Sequence, residues 1–371
     1  MTDELRVDGS VTFYRLHDVG YAIALDQAAT LLGDRTTGRA VPGRTEARAI
    51  QIRNPPLVVS LGSHEITVNG ATHRGLFSAH VFDFAVCSLQ LRIAAPAGLT
   101  WSAFAELGAA LEASPALSGA FDRALADLLV AITPAVERPE RARVHEDYKV
   151  YRIDRVHRGD AKAAGSVAEL VSDEQLLSLL FDERRTVSAA ARRELIPYRF
   201  SYYEDDLAAL SWESAVIVEP RSEDRDVEYV LEFANAQLLE LRIFDSQLDA
   251  ELPSLYDRIA FARTKRRPRL AGRFRTVLAD LQTRVADITE TVERVENALR
   301  VTNDVYLARI YAAALELFRE KDWRRGVERK LETLRGTYGM LSAESQAARA
   351  ELLEIAIVVL IVAELVIALL H

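Results

Sequence analysis

The sequence predicts an α+β protein: a mixed α/β N-terminal domain, then a long antiparallel coiled-coil helical region and a C-terminal transmembrane helix. Three observations carry this expectation. Apolar alternation of period two is concentrated in roughly the first two hundred residues. Heptad spacing of apolar residues takes over after Val227. The segment Leu352 to Leu370 is then an apolar run broken only by Glu354 and Glu364. At about 1.5 Å per residue this run would rise roughly 28 Å, near the hydrocarbon thickness of about 30 Å. The implied divisions are 1–220 for the α+β domain, 221–351 for the stalk and 352–370 for the anchor.

Within the domain, Val11 to Leu16 and Tyr21 to Leu25 are expected as strands flanking a turn at Asp18 and Gly20. Gly33 to Arg48, rich in Gly, Arg and Thr, is expected as an exposed loop, followed by a strand over Leu57 to Leu61. Glu65 to Val68 leads through the Asn69-Gly70 turn signal into a β-rich run from Gly75 to Ile93, predicting a hairpin. In that run Ala85, Cys87, Leu89, Leu91 and Ile93 alternate with Ser88, Gln90 and Arg92, the period of a half-buried strand. Val81 to Val86 is apolar on both faces.

Helices are expected over Trp101 to Glu112, capped at Leu99-Thr100, over about Ser118 to Ile132, and over Ser172 to Phe181. Tyr148 to Val156 and Leu207 to Val218 are expected as strands. From Val227 three heptad series follow, the first with Asp245 at a seam position and Pro253 as a kink point. Pro268 and Gly272 mark a turn between the first two series, and Asn303-Asp304 marks a break.

Composition bounds the function. The 371 residues are 49% hydrophobic, enough for a sizeable core, and the net charge of −9 argues against general nucleic-acid binding. A single cysteine, Cys87, excludes an intrachain disulfide and a Cys-rich zinc site and fits a reducing compartment. The N-terminal MTDELRVDGS lacks the apolar core of a secretory signal. Arg335 and Arg349 upstream of the apolar run, with only His371 beyond it, place the N-terminal side in the cytoplasm. The expected location is therefore a bacterial-type inner membrane, crossed once.

Candidate contact residues are few. Arg263, Lys265, Arg266, Arg267, Arg269, Arg273 and Arg275 form the densest charge feature, with no acid among them. They suit phosphate groups of RNA or lipid, or else form a solvated hairpin tip. Asp245 and Glu364 are candidate oligomer contacts, Asp245 as a register-setting polar seam residue and Glu364 as a carboxyl needing a partner in apolar surroundings. His64, His73, His80, Asp83 and Cys87 match no established ligand spacing, so no metal is expected. Asp83 is expected as a hydrogen-bonded structural carboxylate. Phosphate-loop, G-x-S-x-G and H-E-x-x-H patterns are absent, and neither cofactor nor small-molecule substrate is implied.

Several segments together resemble the family called required for meiotic nuclear division, also known as the YagE type or domain of unknown function 155. They are the closing LLEIAIVVLIVAELVIALL, with Leu353-Glu354 and Glu364; VFDFAV at Val81 to Val86, with Ala85 where the family has glycine; YRLHDVGYAIAL (Tyr14 to Leu25); DDLAALSWESAVIVEP (Asp205 to Pro220); and LEFANAQLLELRIFDSQLD (Leu231 to Asp249). The resemblance implies the same domain order, homo-oligomers and, from eukaryotic members, support of translation near a membrane. It implies no catalytic residue. The expectation is thus a non-enzymatic, tail-anchored membrane scaffold or tether, homo-oligomeric, linking a ribosome, another ribonucleoprotein or a protein partner to the membrane. The alternative is a hydrolase or nucleotide-binding enzyme with its site in the N-terminal domain.

Overall fold

In the computed structural model the described residues are 5–40, 50–52, 54–142, 144–158, 161–162, 166–183, 185–221, 225–264, 283, 285–286, 288–290, 299–301 and 305–370. The chain is mixed α+β, with a large N-terminal sheet and C-terminal helices. It divides into two compact units, 1–240 with 294–321, and 241–293 with 322–371.

The first unit is built on nine main strands: β1 (Leu5–Asp18), β2 (Thr36–Arg39), β3 (Leu57–Val68), β4 (Ala71–Val81), β5 (Val86–Ala94), β6 (His145–Arg158), β7 (Tyr198–Phe200), β8 (Leu207–Leu210) and β9 (Ser214–Val218). Their order across the sheet is β7-β8-β9-β6-β1-β5-β4-β3-β2, with the short strands Leu99–Thr100 and Ala161–Lys162 paired to β1 and β6. β6 and β9 run parallel, because the chain between them crosses over through helical segments, whereas β3, β4 and β5 form an antiparallel meander.

Alternation sorts the two faces of this sheet. Val11 and Phe13, Leu89 and Leu91, Tyr151 and Ile153 belong to one apolar core together with helices α1 (Leu25–Leu32), α2 (Trp101–Glu112), α3 (Pro115–Ile132) and α4 (Asp173–Leu180). Thr100 caps α2 by accepting from the Ala103 amide, and Ser172 and Gln175 form a reciprocal capping box on α4. The other face carries Ser10, Thr12, Ser88, Gln90 and Arg152. Helix α5 (Asp226–Thr264) contributes Glu228 and Glu232 to this second face, and helix α6 (Val305–Leu317) packs beside β7.

Several sequence expectations need correction. Val81 to Val86 is not continuous strand: residues 82–85 form the turn between β4 and β5, with Ala85 at φ +68°. Leu207 to Val218 is a hairpin, folded at Ser211 through Ser214, where the Ser211 and Ser214 hydroxyls lie 3.0 Å apart and the Ser214 amide donates back to Ser211 Oγ. Tyr21 to Leu25 gives only a two-residue bridge at Ala22–Ile23 before α1 begins, and part of the expected loop, Thr36–Arg39, pairs with β3 as an edge strand. The first two cases are turns between strands adjacent in sequence, whereas Ala22–Ile23 and Thr36–Arg39 are strands because of partners farther along the chain.

In the second unit α5 continues beyond residue 240 through Pro253, and helix α7 (Glu320–Leu370) runs with it in the same direction. Lys330 Nζ donates to Asp245 Oδ1 at 2.7 Å and pairs with Asp249 at the same distance, and the Arg242 guanidinium lies over the Trp323 ring. Among the described residues no helix is long and apolar enough to cross a membrane. This overturns the expected transmembrane helix over 352–370, the tail anchor and the inner-membrane location. The apolar run there carries two carboxylates, Glu354 and Glu364.

Close packing of α2 on β6 is testable at Gly108. A Cβ there would lie 2.1 Å from the Tyr151 hydroxyl oxygen and 2.5 Å from its ring carbons. Gly108→Ala is expected to lower unfolding stability by about 1–3 kcal/mol, read by urea denaturation, because a packed ring must move.

Candidate functional site

The second face of the sheet is where polar side chains converge. Strand register sets Thr12 opposite Arg92, Arg92 opposite Leu76 and Ser78 opposite Gln90, so β1, β5 and β4 present one continuous polar surface. β6 adds Arg152, which is 0% exposed.

A buried guanidinium must be paired, and α5 supplies the partner. Arg152 Nη1 donates to both carboxylate oxygens of Glu228 at 3.1 Å, Nε donates to Asp154 at 3.2 Å, and Nη2 donates to the Glu219 and Arg221 carbonyls. Burial by itself lowers the Arg152 pKa, but the charge and hydrogen bonds of Glu228 outweigh it and raise the group above its ordinary value. One turn along α5, Glu232 accepts from Gln90 at 2.8 Å and lies 2.7 Å from His80 Nδ1. The space lined by Tyr14, Tyr148, Glu228 and Glu232 has no room for a water molecule. These groups therefore bind one another and not a ligand.

Beyond the start of α5 the same face opens into a groove of about 630 Å³, lined by Thr12, Ser60, Arg74, Ser78, Arg92 and Arg225 among others, with no carboxylate among the described residues that line it. Arg92 donates to Ser10 Oγ at 3.2 Å, and Arg74 donates to Ser63 Oγ at 3.1 Å. Burial, then repulsion from Arg225 and Arg152, pull the Arg92 pKa below its usual value. Thr12 Oγ1 and Arg225 Nη2 are buried and have no hydrogen-bond partner. No local motif announced this groove; the alternation of Gln90 and Arg92 with apolar residues was its sequence signal.

A larger cavity of about 740 Å³ lies beside α2 and α4, lined by Trp101, Glu106, Glu174 and Arg185 among others. Its charges are mixed, and the Trp101 indole N–H is already engaged by the Gln175 carbonyl at 2.9 Å.

The residues singled out in sequence are dispersed. His80 joins Glu232, Asp83 lies in the turn and accepts from Asn54 at 3.0 Å, and His64 packs edge-on against Phe77. Among the described residues no three His, Cys, Asp or Glu side chains are grouped to hold a metal. Burial pushes the Cys87 thiol up to about 12, so it stays protonated at neutral pH. Asp245 is engaged by Lys330, and Glu364 sits on the exposed part of α7. Arg263 falls in the last turn of α5, while Lys265, Arg266, Arg267, Arg269, Arg273 and Arg275 lie outside the described residues, as do the turn at Pro268 and Gly272 and the break at Asn303-Asp304.

At the end of β1, His17 and Asp18 are both buried. Burial raises the Asp18 pKa to about 7 against the Gly20 amide that donates to it, whereas burial and nearby Arg141 lower His17 to about 4.

The fold and this face define an α+β protein with one apolar and one polar sheet face, the polar one part covered and part open. The family described as the N-terminal domain of the uncharacterized protein MJ0711 matches residues 8–225, and the chain belongs to that family. The uncharacterized protein MJ0711 of Methanocaldococcus jannaschii is 25% identical over 198 residues, covering 52% of this chain and 58% of that protein. The match thus spans little more than half of that relative's length. No solved structure matches the chain.

Two outcomes follow from these charges. Glu228→Gln leaves Arg152 without its main counterion and is expected to cost about 3 kcal/mol in urea unfolding, while Arg152→Met with Glu228→Leu recovers most of the loss. Asp18, with its folded pKa raised from about 3.9 to about 7, binds an extra proton in the native state over that interval. Its contribution is present at low pH and lost as pH rises through about 7. His17 has the opposite sign, losing stability as pH falls from about 6.5 to about 4. Asp18→Asn is therefore expected to show stability rising with pH across about 4 to 6.5, measured as unfolding free energy against pH.

Proposed function

We propose that this chain is a non-enzymatic, self-associating scaffold: an α+β domain carried on a coiled-coil stalk that assembles with copies of itself through α7. The observation that carries the proposal is the far part of α7. From Leu353 to Ile367 its large apolar side chains are between 50% and 66% exposed. They follow one another around the helix and not in a single stripe, Ile357, Val358, Val359, Leu360, Ile361 and Val362 being consecutive. A helix apolar all round is stable when covered on all sides. One partner helix covers a stripe, so a bundle of the same segment from several copies is the cover that fits, with Glu354 and Glu364 hydrogen-bonded across it.

Support for the stalk comes from the Asp245–Lys330 pair and the Arg242–Trp323 contact, which set α5 and α7 side by side in one direction. Arg335 Nη2 also donates to Thr289 Oγ1 at 2.8 Å. Support for a non-enzymatic role comes from the polar layer under α5, where carboxylates, guanidinium and imidazole pair with each other. The cargo is proposed to be a ribonucleoprotein or protein partner held by the basic run at 263–275, an expectation that rests on the sequence resemblance.

Sedimentation of the full chain tests this. The wild type is expected to form a defined oligomer, and Ile357→Lys with Leu360→Lys and Ile361→Lys to return it to a monomer with the first unit still folded. A monomeric wild type overturns the scaffold. Copurifying RNA and protein, recorded on the same material, are expected to fall away when Arg266, Arg267 and Arg269 are changed to Gln.

A further inference from the structure

We propose that the open groove beside the start of α5 binds a small ligand bearing a phosphate or diphosphate, gripped by Arg74, Arg92 and Arg225 with the hydroxyls of Thr12, Ser60 and Ser78. The proposal is independent of self-association through α7.

Charge comes first. Among the described residues the groove lining holds three guanidiniums and no carboxylate. Glu228 and Glu232 of α5 are already committed, Glu228 to Arg152 and Arg225, and Glu232 to Gln90 and His80. Among the described residues neither Arg74 nor Arg92 has a carboxylate within ion-pair distance; each makes a single hydrogen bond, to a serine hydroxyl. Arg92 is also repelled by Arg225 and Arg152. An anion entering the groove would remove that repulsion.

Unspent hydrogen-bonding capacity lies in the same place. Thr12, 3% exposed, lines the groove with its hydroxyl unpartnered, and Arg225 Nη2 is likewise buried without an acceptor. Buried donors without partners are uncommon, and those beside an open cavity mark where an acceptor belongs. A guanidinium presents five N–H groups in a fixed fork suited to phosphate oxygens. Here the forks come from three separate elements, β4, β5 and the residue just ahead of α5. A tetrahedral anion accepts from several directions at once, whereas a carboxylate offers one plane, so phosphate fits the arrangement better.

Size and support narrow the ligand. About 630 Å³ is the volume of a small-molecule site. It accommodates a diphosphate with an organic group attached, and Leu76, 62% exposed at the groove, offers that group an apolar surface. Arg74, Arg92, Thr12 and Ser78 stand on strands of a paired sheet, so the site is preorganised and loses little freedom on binding.

Isothermal titration of the full chain with inorganic phosphate, pyrophosphate and a nucleoside diphosphate is the test. Saturable binding is expected, tighter for the diphosphates than for phosphate. A nucleoside diphosphate binding tighter than pyrophosphate would show that the organic group uses Leu76, and equal binding would assign the affinity to the phosphates alone; both support the site. Arg92→Gln and Arg74→Gln should each weaken binding at least tenfold, Thr12→Val several-fold, and Arg141→Gln, outside the groove, should leave it unchanged. The unliganded Arg92→Gln chain should melt no lower than wild type, because it loses a repelled charge; a purely structural Arg92 would melt lower. Should Arg92→Gln fail to fold, the exposed Arg74→Gln carries the test. Absence of saturable binding at millimolar ligand, or equal losses in Arg141→Gln and the groove variants, overturns the proposal.

Discussion

Arg152 is a full positive charge placed by strand register at the centre of a sheet face, under a helix, with no access to water. Such a charge is tolerable only with a counterion in correct geometry, and that requirement fixes how α5 lies on the sheet. Glu228 must meet Arg152, so Glu232, four residues on and on the same side of the helix, meets Gln90 and His80. A slide of α5 by one residue would take Glu228 away from Arg152 and Glu232 away from Gln90 and His80. The pair contributes less to net stability than an apolar contact of similar size would. What it supplies is a single register for helix on sheet.

The same constraint explains why the polar face is divided. Carboxylates are concentrated under α5, where they neutralise Arg152, and among the described residues none lines the groove beyond the helix start. Arg92 and Arg74 stand further out on the same face, each hydrogen-bonded to a serine hydroxyl. A covered, self-satisfied layer and an open cationic groove are thus two consequences of where α5 begins. The opposite face has no such division: aliphatic and aromatic side chains of the sheet and α1 to α4 form one apolar core.

The second unit follows a different logic. Its near part is tied by Asp245, Asp249 and Lys330, and its far part exposes a continuous apolar helix surface within the chain itself. Membership in the MJ0711 N-terminal family covers residues 8–225, which is the sheet and its helices up to the residue before α5. The helical remainder lies outside that match.

Much was legible locally. Helix starts at Thr100 and Ser172 follow from side-chain capping, the Asn69-Gly70 turn from backbones that tolerate positive φ, and the strand over Val86 to Ala94 from strict alternation. These signals lie within a few residues of the structure they specify. The apolar run near the end was legible as apolar, but among the described residues no helix is long and apolar enough to cross a membrane. The polar side of the Val86 to Ala94 strand, Ser88, Gln90 and Arg92, was legible as polar, but alternation alone could not show that Ser88 is buried. What covers it is α5, more than 130 residues away in sequence, and what binds Arg152 is a glutamate 76 residues further on. Sequence by itself therefore determined the capped helices and the alternating strands and which of their faces is apolar, because capping and backbone periodicity are local properties. Only the tertiary structure decided which charge meets which and where a cationic groove is left open, because those pairings depend on a strand order that places distant segments side by side.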